Sequence, residues 1–467
     1  MMAATPLLAV LVAIAVALST NLAGLLIIST VFHAASVVNV HMGPPNAQGL
    51  SPVYGVSPYL ALALLAGLFW ALRILKTRRL AIPAQVRLPM YFLGAYLVVA
   101  WLGAWFLPCW FEGLSVNLLV QRDGISRLSD LSPSIANIVQ PINLLVHFVV
   151  LLFFLQSTDG DDHKARLVVG TLWALGLTVG IGLYQQWATT KGLPGWAPYL
   201  ANNPGYEQTP VAEKQLWFRI GLPFSEPSYA SACLAATTVG CWAVVLLGLR
   251  WWWVWLLAAC SSVGLLNTLG ATGLAAAAAA MALLWVWVII NALRVDAPWP
   301  RRWRAAALGV VLLLASSWGY QAYNSSPLKP KVEETVYSLI IYKAKLQEGT
   351  RELSNKRALE IVKETYGLGV GMGSNRASSF FASLLSNTGV LGFVLFMGML
   401  GTLLWRYWQA PRLSDMQIFV AAALPTATLA MGLGIPDLNM PMYWGFIFLG
   451  FVFCPALPSK DQKPVAH

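Results

Sequence analysis

From Trp251 to Leu293 the chain runs for 43 positions without a charged residue, and an arginine closes each end, Arg250 and Arg294. As one helix this stretch would be about 65 Å long at ~1.5 Å per residue. That is roughly twice the ~30 Å hydrocarbon core of a bilayer. Arginines gather on the cytoplasmic side of membranes, so both ends belong on one face and the stretch must double back. The run Asn267-Thr268-Leu269-Gly270-Ala271-Thr272-Gly273 is the place for the turn.

The rest of the chain follows the same logic. Of its residues 58% are hydrophobic and 10% charged, and mean hydropathy is +0.64. A soluble domain carries about 25% charged residues. Apolar runs place spans at 6–34, 57–75, 90–108, 136–156, 167–188, 228–249, 251–268, 271–293, 303–322, 379–405, 415–433 and 440–456. The reading is an all-α polytopic membrane protein of about twelve transmembrane helices. Residues 1–322 hold spans 1–9 with an external segment at 189–227. Residues 323–378 form a large external helical loop, and 379–467 hold spans 10–12 and a tail. The first residues lack the basic stretch of a signal peptide, so 6–34 reads as a retained span, with a short re-entrant pair as the alternative. Cys233, Cys241, Cys260 and Cys454 lie in apolar runs and Cys109 near a span end, which suggests neither a disulfide framework nor a metal-ligand spacing.

Charge sets the expected orientation. With both termini in the cytoplasm, the inner segments hold sixteen of the thirty basic residues against six acidic ones, and the outer segments are nearly balanced. The net charge of +11 is therefore an orientation signal and gives no reason to invoke nucleic acid. The lipid bilayer is the partner it implies.

Loops as long as 189–227 and 323–378 are usually functional or disordered. In the second, Val332, Val336, Leu339 and Leu346 form one apolar stripe at helical spacing, and Ala358, Ile361, Val362 and Tyr366 form another. Two helices packed over the membrane face are expected. The segment closes on Gly367-Leu368-Gly369-Val370-Gly371-Met372-Gly373-Ser374-Asn375-Arg376 before a span begins. Alternating glycines free the backbone for close approach, and Ser374 or Asn375 could cap the helix. The unpaired amides at such a helix start, with Arg376 beside them, would suit a phosphate. The competing reading is a plain loop-to-helix turn.

At these residues the chain resembles the O-antigen ligase and polymerase superfamily of bacterial membrane glycan enzymes. Four features carry the likeness. The large loop falls between the ninth and tenth spans. Arg351 through Leu359, followed by Gly369-Val370-Gly371-Met372-Gly373, resembles the family's Arg-led helix and Gly-Val-Gly-x-Gly turn. Leu385 through Gly392 resembles the Leu-x3-Gly-Ile-x-Gly that opens the tenth span. Arg219 through Phe224 and Glu226-Pro227-Ser228 resemble the entry to the sixth span of polysaccharide polymerases.

The resemblance implies a GT-C-like architecture in the bacterial inner membrane and a site facing the periplasm. It also implies a glycan carried on undecaprenyl pyrophosphate and a metal-independent, inverting transfer without cofactors. Chain-length regulators or flippases are implied as partner proteins. Ligases carry a histidine where this chain has Ser378, and none of its five histidines lies in 323–378. Ligases also tend to carry an arginine where this chain reads Gly270-Ala271-Thr272-Gly273. Both departures favour a repeat-unit polymerase over an O-antigen ligase. A lipid-linked oligosaccharide transporter is the alternative of another class; it would bring internal repeats and mid-membrane charges, and neither is visible.

Such a transfer displaces a pyrophosphate that gains negative charge, so cations must face it. Arginine binds phosphate oxygens with its planar fork. Arg219, Arg351 and Arg376 are the candidates, with Gly371, Gly373 and Ser374 as backbone neighbours. Headgroup binding or snorkelling is the alternative for each arginine. Glu226 is the candidate general base, at a position where desolvation would raise its pKa. Asp437 is the weaker candidate. Tyr206 and Tyr229 could stack sugars, and His147 reads as a satisfied buried histidine.

Overall fold

The computed structural model describes residues 22–41, 53–78, 82–119, 126–157, 161–203, 220–221, 223–247, 252–293, 321, 324–325, 329–337, 343–410 and 412–456. Helices dominate. Among the described residues eight are long and apolar enough to cross a membrane, and Trp252–Thr268 and Pro441–Val452 are shorter apolar helices. The chain is an all-α polytopic membrane protein in outline. Expected spans at 303–322 and most of 6–34 lie outside the described residues.

Numbered in chain order, α1 is Leu22–Ser29, α2 Pro58–Thr77, α3 Arg87–Trp110, α4 Ala136–Ser157 and α5 Asp161–Lys191. The next are α6 Pro227–Leu247, α7 Trp252–Thr268 and α8 Ala271–Leu293. Two helices of the long loop follow, α9 Lys329–Val336 and α10 Lys343–Glu364, and then α11 Phe380–Gln409, α12 Asp415–Gly434 and α13 Pro441–Val452. The 251–293 stretch is the hairpin its length requires, turning at Leu269 and Gly270. Helical structure in the first span stops at Ser29, and 30–37 are turns and bends, so that span is shorter than 6–34.

Two short antiparallel ladders were not expected. Strand β1 (Val38–His41) pairs with β2 (Val53–Val56), Val38 opposite Val56. Strand β3 (Ser115–Leu119) pairs with β4 (Ser126–Asp130), Ser115 opposite Asp130. Each ladder bridges consecutive helices at the end of the bundle that also carries α10. The basic ends, with Arg73, Lys76, Arg87 and Arg406, lie at the opposite end.

Helix α6 is the axis of the C-terminal half, packed against α7, α8 and α12. Its sequence PSYASACLAATTVGCWAVVLL is rich in small residues, which let neighbouring backbones come close in a bilayer, where no hydrophobic drive separates helix from lipid. A Cβ on Gly273 of α8 would stand 2.5 Å from the Ser231 carbonyl oxygen, and one on Gly240 would stand 2.7 Å from the Phe419 ring. The first obstacle is backbone and has little room to yield.

Helix α10 belongs to the long loop and lies against β3 and the start of α11. Its buried line is Ser354, Ala358, Ile361 and Thr365, and Ile361 shares a small core with Val116, Leu131 and Val370. Tyr366, expected on this stripe, is 91% exposed. The helix ends just before it in a Schellman turn, with Gly367 N–H on Val362 O at 2.7 Å and Tyr366 N–H on Lys363 O at 3.1 Å. Tyr366 occupies the left-handed position at φ 53°, so its side chain swings off the buried face. The other stripe falls on Leu339, outside the described residues, and on Val332, Val336 and Leu346, whose side chains are not described.

Gly273→Val is expected to cost about 1–3 kcal/mol through overpacking at the α6–α8 contact. The lowered melting midpoint of the purified protein checks it; an unchanged midpoint would show that the contact yields freely.

Candidate functional site

The site is organised by a break in α11. Gly389 has φ 69° and ψ −176°, a region essentially reserved for glycine. Phe380 and Phe396 would be about 24 Å apart along a straight helix, yet their rings meet at 5.6 Å. The helix is therefore folded sharply at Gly389. Residues 390–409, about 30 Å long, can span the membrane alone, and 380–388 is a separate half-helix. The expected span at 379–405 is corrected accordingly.

A helix break strands backbone groups that must find other partners. The glycine turn supplies them. Val370 N–H donates to Ser386 O at 2.9 Å, Gly371 N–H to Asn387 O at 3.0 Å, and Val390 N–H to Gly367 O at 2.8 Å. The turn lies so close to its neighbours that side chains are excluded. A Cβ on Gly371 would be 2.7 Å from Gly103 O, and one on Gly373 would be 2.6 Å from Ala136 O. Both glycines also have φ above 90°, so each is required twice over.

Asparagines lock the rest of the turn. Asn387 Oδ1 accepts from Ser374 N–H at 3.1 Å and Asn375 N–H at 3.0 Å. Its Nδ2 donates to Asn375 O at 2.7 Å and Ser383 O at 2.8 Å. Asn137 Nδ2 donates to Met372 O and to Ser374 Oγ. Asn117 N–H donates to Asn375 Oδ1 at 3.0 Å, and Asn117 O accepts from Arg376 N–H at 2.9 Å. Asn355 Oδ1 takes the amides of Ser378 and Ser379.

Two expectations change here. The amides of Gly371 and Ser374 are spent within the chain, so they are not an open cradle for phosphate. The following helix starts at Phe380 with Ser379 at its N-cap, so neither Ser374 nor Asn375 caps it.

Between the turn, the half-helix and the 436–438 loop lies a cavity of about 400 Å³. Phe380, Ser383, Leu384, Asn387 and Thr388 line one side of it, one face of the half-helix. Asn117 and Gln140 also line it, and it reaches down to Tyr96 in the middle of α3. Arg376 and Asp437 are its charged lining residues. Asp437 stands in the loop between α12 and α13, where Asn439 N–H donates to its Oδ1 at 2.9 Å. Burial raises its pKa above the ordinary aspartate value, and the Arg376 charge and the Asn439 amide offset part of that rise.

The Asp437 loop is pinned from α4. Asn439 Nδ2 donates to both oxygens of Gln140, and Asn439 O lies 3.2 Å from His147 Nε2. A carbonyl only accepts, so Nε2 carries the proton, and Nδ1 accepts from the Tyr59 hydroxyl at 2.6 Å. The ring also stacks on Trp444. His147 is a satisfied buried histidine that holds the loop in place.

The other expected residues fall around this cavity. Tyr229 is buried, its hydroxyl within hydrogen-bonding reach of Arg376 and in the electrostatic range of Asp437 and Glu226. Glu226, just before α6, accepts from the Ser228 hydroxyl at 3.0 Å and stands beside the cavity, outside its lining. Arg351 is exposed; its Nη1 is 3.7 Å from where a Gly434 Cβ would be, near the Asp437 loop. Glu360 and Glu364 pair with Arg357 on the surface of α10. Arg219 and Tyr206 lie outside the described residues. Among the described residues, no group of three His, Cys, Asp or Glu could hold a metal.

Sequence reasoning missed Tyr96, Asn117, Gln140 and Asn387. Asn387 sat inside a quoted motif as a polar residue in an apolar run, which is itself a signal. These elements define a membrane protein with a polar, charge-balanced cavity at the loop-bearing end of its helices. No family model matches the chain, and no curated protein matches it either.

Gly389→Ala is expected to cost about 1–3 kcal/mol through its φ/ψ and to speed hydrogen exchange at the amides of Val370 and Gly371. Unchanged exchange there would mean that the turn does not depend on the break. A carboxyl with a raised folded-state pKa destabilises the fold above that pKa, and the penalty fades as pH falls through it. Asp437→Asn should therefore melt above the wild type at neutral pH, and the two should converge on acidification. A gap independent of pH would refute the assignment.

Proposed function

We propose that the chain is a membrane glycosyltransferase, a polymerase of lipid-linked repeat units. It would transfer a glycan from undecaprenyl pyrophosphate to a sugar hydroxyl of another lipid-linked repeat at the periplasmic face of the bacterial inner membrane. The observation that carries this reading is the cavity held by the glycine turn, with Arg376 and Asp437 on its wall and Tyr229 and Glu226 beside it. Glycan transfer from a lipid pyrophosphate needs cations for the departing charge and an acceptor for the hydroxyl proton. Arg351 near the Asp437 loop and Arg219 ahead of α6 are the further cations in this reading, and Glu226 and Asp437 are the carboxylates. A deep cavity beside an apolar bundle also suits a substrate that is lipid at one end and sugar at the other.

O-antigen ligase is the neighbouring reading. Ser378 stands where ligases of the resembled family carry histidine, and its amide is used by Asn355. That residue type favours polymerisation.

The test is a gene deletion complemented with Arg219→Ala, Glu226→Gln, Arg376→Ala and Asp437→Asn, with the surface glycan resolved on a gel. Loss of long chains with single repeats retained, in the deletion and in the Arg376 variant, is expected. Polymer accumulating on its lipid carrier but absent from lipid A–core would indicate ligase. Unaltered glycan in the deletion strain would end the proposal.

A further inference from the structure

The cavity can be read for its ligand by asking which polar groups the protein itself leaves unspent. The backbone amides around Arg376 are already committed. Those of Gly371, Ser374, Asn375 and Arg376 all donate within the chain, so the turn offers little of the amide nest that anion sites use. The amide of Asn387 is likewise consumed on both its atoms.

What remains is of a different kind. The hydroxyl of Tyr96 is fully buried and makes no aligned hydrogen bond. Thr388 lies beside it and gives its own proton to Leu384 O at 2.8 Å, so it can only accept from the tyrosine, whose own lone pairs stay open. Gln140 spends its carbonyl on Asn439, and its NH₂ donates to no described residue. The Ser383 hydroxyl oxygen takes only a long 3.4 Å hydrogen bond from Asn387 Nδ2, and the second oxygen of Asp437 faces no committed donor among the described residues. Beside these groups stands the ring of Phe380.

Charge points the same way. Among the described lining residues only Arg376 and Asp437 are charged, and they are opposite. A multiply charged pyrophosphate would gain from one and be repelled by the other. A neutral polyol has use for both, because its hydroxyls donate to the carboxylate and accept from the guanidinium. At about 400 Å³ the cavity is at the small end of the ~300–1,000 Å³ range of ligand sites.

We propose that this cavity is a saccharide subsite, which takes the terminal sugar of the accepting glycan and leaves the donor's pyrophosphate outside. The proposal rests on the transfer reading above and narrows it, moving Arg376 from the leaving group to the acceptor sugar. Tyr96, Gln140 and Ser383 bind hydroxyls, and Phe380 adds an apolar side chain to the wall. Asp437 receives the proton of the attacking hydroxyl. The hydroxyl oxygen forms its bond to the donor's anomeric carbon as the carbon–oxygen bond to pyrophosphate breaks. The electron pair of that bond leaves on the pyrophosphate. The raised pKa of the half-buried Asp437 supports its fitness as a proton acceptor.

The experiment uses the full chain in lipid nanodiscs and two probes. One is the free oligosaccharide released by mild acid from the lipid-linked repeats that a polymerase-deficient host accumulates. The other is inorganic pyrophosphate. Binding is followed by calorimetry for the wild type, Tyr96→Phe and Asp437→Asn, with melting curves as the folding control. The saccharide should bind the wild type and weaken at least five-fold in both variants, and pyrophosphate should not compete with it. Asp437→Asn gives opposite signs for the two ligands. Removing a negative charge tightens an anion site, whereas it weakens a sugar site that uses the carboxylate. Pyrophosphate that binds competitively and tightens in Asp437→Asn overturns the proposal, as does a wild type that fails to bind the saccharide at millimolar concentration. The deletion strain separates this from the broader reading. If long glycan is lost on deletion but the binding results go to pyrophosphate, transfer stands and the subsite assignment falls. If deletion leaves the glycan intact, the transfer reading itself falls.

Discussion

The pairing between the glycine turn and the break at Gly389 is the constraint on which the rest of the site depends. A helix that stops midway in an apolar bundle leaves carbonyls and amides that lipid cannot satisfy. Here Ser386 O, Asn387 O and Val390 N–H are taken up by Val370, Gly371 and Gly367. Each side solves the other's problem: the broken helix needs partners, and the turn needs a fixed seat. The acute fold at Gly389 turns residues 380–388 aside, so that one face of that half-helix becomes a cavity wall. Without the break, α11 would be an ordinary span with no half-helix to line a cavity.

The same economy governs the polar groups that surround the turn. Five asparagines, at 117, 137, 355, 375 and 387, each tie backbone groups from distant parts of the chain, and they do so at buried or half-buried positions. A buried polar group left unpaired costs about 1–3 kcal/mol, so a network this complete is rigid. Rigidity is what the proposed transfer would need to hold reacting groups in place. Against that background, the unspent groups of Tyr96, Gln140 and Asp437 stand out as those left for a ligand.

Around the site the bundle is held by small residues. Gly240, Gly270 and Gly273 meet Phe419 and Ser231 at distances that exclude a side chain, which brings α8 and α12 close about α6. The starts of α6 and α8 and the end of α12 are thereby fixed near one another. Arg351, Glu226, Tyr229 and Asp437 are distributed over just this region.

Most of the described apolar helices, their order and the hairpin at 251–293 were legible in the sequence. They follow from the length of apolar runs and the cost of exposing backbone to lipid, which are local properties. The importance of 367–376 and of Leu385 to Gly392 was also legible, because glycines so spaced mark special backbone. What those glycines do was not legible. They were read as a cradle for phosphate, and only the fold reveals that the amides of Val370 and Gly371 are spent on a broken helix sixteen residues further on. Tyr366 was misplaced because a helix end depends on which residue accepts a left-handed conformation, which periodicity does not report. Tyr96, Gln140 and Asp437 come from three segments far apart in the chain, and no spacing rule links them. The sequence by itself determined that this is a helical membrane protein with a special turn before α11. The tertiary structure alone decided that the turn builds a neutral cavity, because pairing between stranded backbone groups is settled by proximity in space.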